Sequence, residues 1–443
     1  MASAEIGLRR AAPARDLLRL ATAGSVDDGK STLIGRLLHD SRAIADDQLA
    51  AIEQASRRRG GQALDLALLT DGLRAEREQG ITIDVAYRHF ATARRRFVLA
   101  DTPGHVQYTR NMVTGVSTAD AAIVLIDARS GVLEQTRRHV AIVALMRVPH
   151  LIVAVNKMDL VAFDEARFNE IATAVDAIAR GLGVLDTTAI PLSALLGDNV
   201  VERSRAMPWY DGPPLLEHLE AVEVEPEADD DRLRLPVQWV IRGTTASDPD
   251  YRAYAGRVEV GRIQAGQRVV ALPGGIATTV HAIDTFDGSL DEAARGSSVA
   301  VRLADPLDLG RGGMIAAEAD PPAPASRVDA IACWFDAKPV RPGSRYLVQH
   351  TTRVVRAVVE RVDHRLDLET LGPDGSANAL GPNDIGHLHL RLADPIFADG
   401  YAVSRATGSA ILIDEATHST VAALLVEIEH RPSVHSSSSS KRE

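Results

Sequence analysis

Apolar and polar positions follow two different periods along this chain, and the change of period divides it. In the first half, unbroken apolar runs are separated by stretches with helical spacing. Leu17–Ala23 reads as a short buried strand, and Ser31–His39 as the helix that follows it. Tyr87–Phe90 and Arg96–Ala100 read as two strands around a basic turn. AAIVLID (Ala121–Asp127) and LIVAVN (Leu151–Asn156) are continuous apolar runs with β-branched residues, and a helix is expected between them at Glu134–Leu145. Such runs separated by helices describe a parallel sheet covered on both faces.

The pattern shifts at EVEPEADDD (Glu223–Asp231), an acidic, proline-containing stretch that reads as a linker. Beyond it short alternating strands are expected, such as RVEV (Arg257–Val260), QRVVAL (Gln267–Leu272) and ILID (Ile411–Asp414), with glycine, proline and aspartate turns between them. That is the signature of β-barrels or sandwiches, and the prolines at Pro321–Pro324 divide the region into two. The expected fold is an α/β P-loop GTPase domain followed by two all-β barrel domains. Its expected boundaries are an N-terminal extension at 1–16, the nucleotide-binding domain at 17–221, the linker at 222–232, barrels at 233–320 and 325–430, and a flexible serine-rich tail at 431–443.

Composition narrows the function classes. Acidic residues outnumber basic ones, 60 against 49, so broad electrostatic binding of nucleic acid is not expected. The triplets Arg57–Arg59 and Arg94–Arg96 read as solvated surface. A single cysteine, Cys333, excludes an intrachain disulfide or thiolate metal cluster and reads as a core residue. No run approaches the ~18 apolar residues needed to span a membrane. The first twenty residues lack the apolar stretch of a secretory signal. The cytoplasm is the expected compartment.

Three motifs carry chemistry. GSVDDGKS (Gly24–Ser31) fits G-x-x-x-x-G-K-[ST] between a strand and a helix, where backbone N–H groups cradle phosphate. Gly24, Ser25, Val26, Asp27, Asp28, Gly29, Lys30, Ser31 and Thr32 are the candidate phosphate-binding residues, with Lys30 between the terminal phosphates and the Ser31 hydroxyl on Mg²⁺. Asp27 and Asp28 are expected to turn their carboxylates away from the phosphates.

DTPGH (Asp101–His105) supplies Asp101 for the magnesium shell, the Gly104 N–H for the γ-phosphate and His105 to orient the attacking water. Thr82 in GITID is the expected switch threonine, completing the metal shell only while the γ-phosphate is present. Phosphate does not select a base. NKMD (Asn156–Asp159) does: the Asp159 carboxylate can accept from the ring N–H and the exocyclic amine of guanine, a donor pair adenine lacks. Asn156 ties the base to the phosphate loop, the Lys157 stem covers the ring, and the Ala194 N–H of SAL (Ser193, Ala194, Leu195) meets the guanine oxygen. GTP or GDP with Mg²⁺ is therefore the expected ligand set.

These motifs make the chain resemble the translation-factor GTPases, the class of elongation factor Tu, in which two β-barrels follow the GTPase domain. Within that class GSVDDGKSTLIGRLLHDS (Gly24–Ser41), LDLALLTDGLRAEREQGITIDVAYRHF (Leu64–Phe90) and LPVQWVIR (Leu235–Arg242) resemble the large, GTP-binding subunit family of ATP sulfurylase. Tu-type factors usually carry a histidine where Asp28 stands. The resemblance implies a smaller catalytic subunit that binds ATP and sulfate, with GTP hydrolysis here driving formation of adenosine 5′-phosphosulfate and pyrophosphate there. Some relatives carry a fused adenylylsulfate kinase, and no second phosphate loop follows Ser193 here. The alternative is an elongation-factor-like carrier of aminoacyl-tRNA.

Overall fold

The computed structural model describes residues 16–42, 44, 66, 84–184, 186–224, 232–243 and 251–428. The N-terminal extension, Thr82 with the rest of GITID except Asp84, most of the acidic linker and the serine-rich tail lie outside the described residues. The chain divides into two compact units, Met1–Val224 with Asp367–Gly372, and Glu225–Leu366 with Pro373–Glu443.

The first unit is built on a six-stranded sheet. Its strands are β1 (Leu17–Gly24), β2 (Ala86–Ala91), β3 (Arg96–Asp101), β4 (Ala121–Asp127), β5 (His150–Asn156) and β6 (Asp186–Pro191), in the order β2-β3-β1-β4-β5-β6. All neighbours are parallel except β2, which runs antiparallel to β3 at the edge. Every residue of β4 is buried, as a strand covered on both faces requires. The covering helices are α1 (Lys30–Asp40), α2 (Thr109–Val116), α3 (Glu134–Leu145), α4 (Glu165–Gly181) and α5 (Leu215–Ala221). The connections place the C-terminal ends of β1, β3, β4 and β5 at one rim, where open α/β sheets bind ligands.

Among its described residues the second unit holds two seven-stranded antiparallel sheets and a two-stranded one. The first contains β7 (Arg234–Arg242), β8 (Arg252–Arg257), β10 (Arg268–Leu272), β11 (Ile276–Thr285), β12 (Gly288–Leu290), β14 (Ser298–Leu303) and β15 (Met314–Ala317), with β9 (Arg262–Gln264) and β13 (Glu292–Ala294) paired beside it. The pairing of β10 with both β11 and β15 returns this sheet on itself and closes it around Leu235, Tyr254, Ile263, Val269 and Ile315. The second contains β16 (Ala325–Trp334), β17 (Arg345–His350), β18 (Arg353–Leu366), β19 (Pro373–Asp374), β20 (Ile385–Ile396), β21 (Ser409–Ile413) and β22 (Thr420–Glu427). It closes through the β17–β18 pairing. Trp334, fully buried, anchors its core against Tyr346 at 5.6 Å between ring centroids. Cys333 is buried beside it, and burial pushes its thiol up to about 12.

The expected strand RVEV does not form. Arg257 ends β8, the Val258 N–H bonds Ser297, and the Glu259 N–H bonds Arg234. The segment crosses between two strands, so its alternation serves two partners in turn.

A buried ion pair links the two barrels. Arg234, 1% exposed, donates from Nε and Nη2 to the two Asp399 oxygens at 3.0 and 2.9 Å, and from Nη1 to the Asp320 carbonyl at 2.8 Å. The Thr407 hydroxyl donates to Asp399 at 2.6 Å. Burial alone would raise the Asp399 carboxyl, but these hydrogen bonds and the guanidinium charge outweigh it and hold the group below its ordinary value.

Candidate nucleotide site

The phosphate loop leaves β1 at Gly24, turns through Ser25–Gly29 and enters α1 at Lys30. Asp27 and Gly29 adopt positive φ, 72° and 90°, which curls successive N–H groups into one concavity. Gly29 is required here: a Cβ would lie 2.4 Å from Asn156 Nδ2. Lys30 is buried, with its ammonium 3.3 Å from Asp101 Oδ1, and Ser31 and Thr32 follow in the first turn of α1. Val26 and Asp27 are exposed. The Ser25 hydroxyl is buried without a hydrogen-bond partner.

Asp28 folds back onto its own loop. It is 5% exposed, and its carboxylate turns into the loop to accept the Ser25 N–H at 2.6 Å. Its carbonyl accepts the Asn156 amide at 2.7 Å, and Gly29 follows at φ 90°. Burial, reinforced by the nearby Asp127 charge, pushes its carboxyl up to about 6 against hydrogen bonds that oppose the rise.

β3 delivers the second loop. Asp101, Thr102, Pro103 and Gly104 are all buried. Thr102 Oγ1 donates to the Thr22 carbonyl at 2.6 Å, and a Cβ on Gly104 would lie 2.2 Å from the Gly24 carbonyl. Only glycine lets this loop lie on the phosphate loop. His105 follows, its Nδ1 accepting the Gln107 N–H at 3.2 Å. That tautomer leaves Nε2 to contact a reactant.

β5 delivers the third loop. Asn156, 2% exposed, is a bridge: its Nδ2 donates to the Asp28 carbonyl, and its Oδ1 accepts the Ala194 N–H at 2.9 Å. The Ala194 N–H, expected at a guanine oxygen, is thus committed to Asn156. Lys157, in the left-handed region at φ 63°, reaches the Asp27 carbonyl and lies 3.0 Å from Asp127. Asp159 Oδ1 is buried without a hydrogen-bond partner. A carboxylate oxygen removed from water and left unmatched costs ~1–3 kcal/mol or more, so it marks a place where a donor belongs. Ser193 is fully buried, its hydroxyl accepting the Leu196 N–H at 3.2 Å, while Leu195 stands 60% exposed at the rim.

Several residues at the rim escaped the sequence reading. Asp127, at the end of β4, takes Lys157 and Arg129; burial alone would raise it, but those hydrogen bonds hold it well below the usual carboxylate range. Its position at a strand end was the one available signal. Arg36 on α1 holds the loop after β6 through the Ala194 and Leu195 carbonyls at 3.1 and 2.6 Å. Gln135 on α3 approaches the Gly104 carbonyl at 3.5 Å and His139 Nε2 at 3.0 Å. Burial, with the Lys30 charge, pushes His139 down to about 3 and keeps it neutral.

These loops match a family model described as the Elongation factor Tu GTP binding domain over residues 15–225, and residues 327–427 match the GTP-eEF1A C-terminal domain-like model. The sulfate adenylyltransferase subunit 1 of Shewanella oneidensis is 47% identical over 418 residues, 93% of this chain and 85% of that protein. That of Teredinibacter turnerae is 47% identical over 92% of this chain and 87% of its own. The bifunctional enzyme CysN/CysC of Mycobacterium tuberculosis is 54% identical over 93% of this chain and 67% of its own length. The chain belongs to the sulfate adenylyltransferase subunit 1 family.

The family carries the GTPase fold expected from the sequence, and the elongation-factor-like alternative is not favoured. A solved structure of sup35 complexed with GDP aligns over 96% of this chain and 97% of its own at 22% identity with a TM-score of 0.42. Among the described residues no helix is long and apolar enough to cross a membrane.

Proposed function

We propose that this chain is the GTP-hydrolysing subunit of a cytoplasmic sulfate adenylyltransferase. It pairs with a smaller subunit that binds ATP and sulfate, and couples GTP hydrolysis to formation of adenosine 5′-phosphosulfate and pyrophosphate. The observation that carries this reading is the 47% identity to subunit 1 proteins across 92–93% of the chain, on a scaffold with its nucleotide loops intact. The fit to a guanine nucleotide rests on two orphaned buried atoms. Asp159 Oδ1 stands where the base donors would come, and Ser25 Oγ stands within the phosphate loop.

In this reading the N–H groups of Gly24–Thr32 hold the phosphates, and Lys30 exchanges its contact with Asp101 for phosphate oxygens. The oxygen donors Ser31 and Asp101 suit a hard cation, and with Thr82 they would hold Mg²⁺, which supplies charge neutralisation at the terminal phosphates. Asp159 selects guanine. The Lys157 stem covers the base, and Ser193 fixes the loop that carries Ala194 and Leu195. Gly104 meets the γ-phosphate. His105, held through Nδ1, orients the water from Nε2.

The test is sulfate-dependent pyrophosphate release from ATP in a native pull-down of this chain, with and without GTP. Release that requires sulfate and rises with GTP supports the reading; GTP hydrolysis with no sulfate-dependent release refutes it. His105→Ala should lower GTP turnover ~100-fold or more while leaving GTP affinity unchanged. Unchanged turnover would remove His105 from its assigned role.

A further inference from the structure

The outer face of the second barrel carries a cluster that the nucleotide chemistry does not use. β20 presents His387 and His389 outward, two residues apart on one face. Its neighbour β18 presents Asp363, and the next strands beyond β20 present Asp329 on β16 and Glu427 on β22. Two register shifts in the β18–β20 ladder, between Val359 and Arg361 and between Val362 and His364, place Asp363 beside the two rings instead of in strict alternation.

One ligand atom from each of Asp363, His387 and His389 can be chosen so that all lie within 4.8 Å of one another. The hydrogen bonds sort the ring nitrogens. His387 Nε2 lies 2.7 Å from Glu427 Oε2, while its Nδ1, buried and without a hydrogen-bond partner, lies 3.2 Å from Asp363 Oδ2. His389 Nδ1 meets Asp329, and its Nε2 meets the same Asp363 Oδ2. Each ring therefore has a carboxylate on its far nitrogen and turns its near nitrogen toward one shared oxygen. A carboxylate on the far nitrogen is how proteins fix the tautomer of a metal-binding histidine.

Arg361 Nη2 lies 2.7 Å from His389 Nε2 and donates to Asp363 Oδ2 at 3.2 Å, with its Nε on Asp363 Oδ1, so a guanidinium stands where the near ligand atoms converge. Asp329 and Glu427 are register partners, like charges directly opposed across the sheet. Three carboxylates thus surround the two rings. A cation between the two near nitrogens and Asp363 Oδ2 would take up the nitrogen lone pairs and offset part of that negative charge.

We propose that Asp363, His387 and His389 form a binding site for a divalent transition-metal ion, with zinc the best match to two imidazoles and one carboxylate. Three protein ligands leave a fourth tetrahedral position for water or a partner's side chain. Side-chain exposures of 15%, 19% and 30% for His387, His389 and Asp363 leave an entry path. Arg361, 61% exposed, gives up its pairing with Asp363 to admit the ion. Bound metal would pin β18 to β20 across the irregular part of their ladder.

The test uses the full chain without a histidine tag, saturated with Mg²⁺ and GDP so that the nucleotide site is closed to competitors. Cobalt(II) is titrated while its visible ligand-field absorption is followed, and zinc affinity is then read by displacement. The expected result is one ion per chain, with affinity lost in His387→Gln/His389→Gln and in Asp363→Asn. Asp329→Asn and Glu427→Gln should each keep the site but weaken it ~10–100-fold. Far-UV circular dichroism confirms that the variants fold. Uptake unchanged in the double histidine variant, or absent from the parent chain, overturns the proposal.

Discussion

Asn156 is the residue whose removal most directly tests how the nucleotide loops are held together. Among the described residues its amide bonds both the phosphate loop, through the Asp28 carbonyl at 2.7 Å, and the loop after β6, through the Ala194 N–H at 2.9 Å; both bonds are buried. Asn156→Ala leaves an acceptor and a donor without partners, at about 1–3 kcal/mol each. Water entering the space left by the amide recovers part of that, so the low end of the sum, about 2–3 kcal/mol, is expected. The cost falls on the loops that bind nucleotide, and translates into a GDP affinity ~30- to 150-fold weaker. Fluorescent-GDP association and dissociation rates measure it, with the loss expected mainly in faster release. Asn156→Asp is the informative control. It keeps an acceptor for Ala194 but sets a carboxylate oxygen against the Asp28 carbonyl, so it should bind no better than the alanine variant. GDP affinity within threefold of the parent for Asn156→Ala would refute the bridge as the organising contact.

Asp28 should make the nucleotide unit pH-sensitive. Its carboxyl stands at about 6 when folded and 3.8 when unfolded, so the native state binds the extra proton between those values. Stability from this group is present below pH 4 and lost as pH rises through 6, by about 3 kcal/mol. Asp28→Asn should flatten that slope in urea unfolding between about pH 4 and 7, the window that spans 3.8 to about 6; identical slopes would remove Asp28 as its source. Asp399→Asn breaks the buried pair with Arg234 and should destabilise the barrel unit by about 3–5 kcal/mol, seen as a melting shift on the order of 10 °C. Asp159→Asn replaces an acceptor with a donor opposite the exocyclic amine of guanine. GTP affinity should fall ~1,000-fold or more, while xanthosine triphosphate, which carries a carbonyl in place of that amine, should gain. Equal GTP affinity in competition binding would place the base elsewhere.

The sequence made legible whatever depends on the backbone and on one residue at a time. Gly29 must be glycine because it takes positive φ with Asn156 Nδ2 against its α-carbon, and Gly104 because it lies on the Gly24 carbonyl. Such requirements fix residue types at fixed spacing, so they survive as motifs. β4 and β5 were legible for the same kind of reason, since burial on both faces leaves no polar position to interrupt the run. Contacts between elements distant in sequence left no such trace. Arg36 reads as any charged residue on α1 until the loop after β6 is brought to it, and nothing near Asp28 in sequence announces that Asn156 captures its carbonyl. RVEV misled because its alternation serves two partners in turn.

The cluster on β20 is the sharpest case. His-x-His on a strand with a period of two says only that both rings share a face. It acquires meaning from the two register shifts in β18, because unbroken alternation from Val359 would turn Arg361 and Asp363 inward, and these shifts instead bring both to the outer face. A β-bulge is a property of the pair of strands, so neither strand's own sequence announces it. Irregular pairing is therefore the part of an all-β domain where chemistry can be assembled without leaving a motif, and it is the place to look when a sequence has been read to exhaustion.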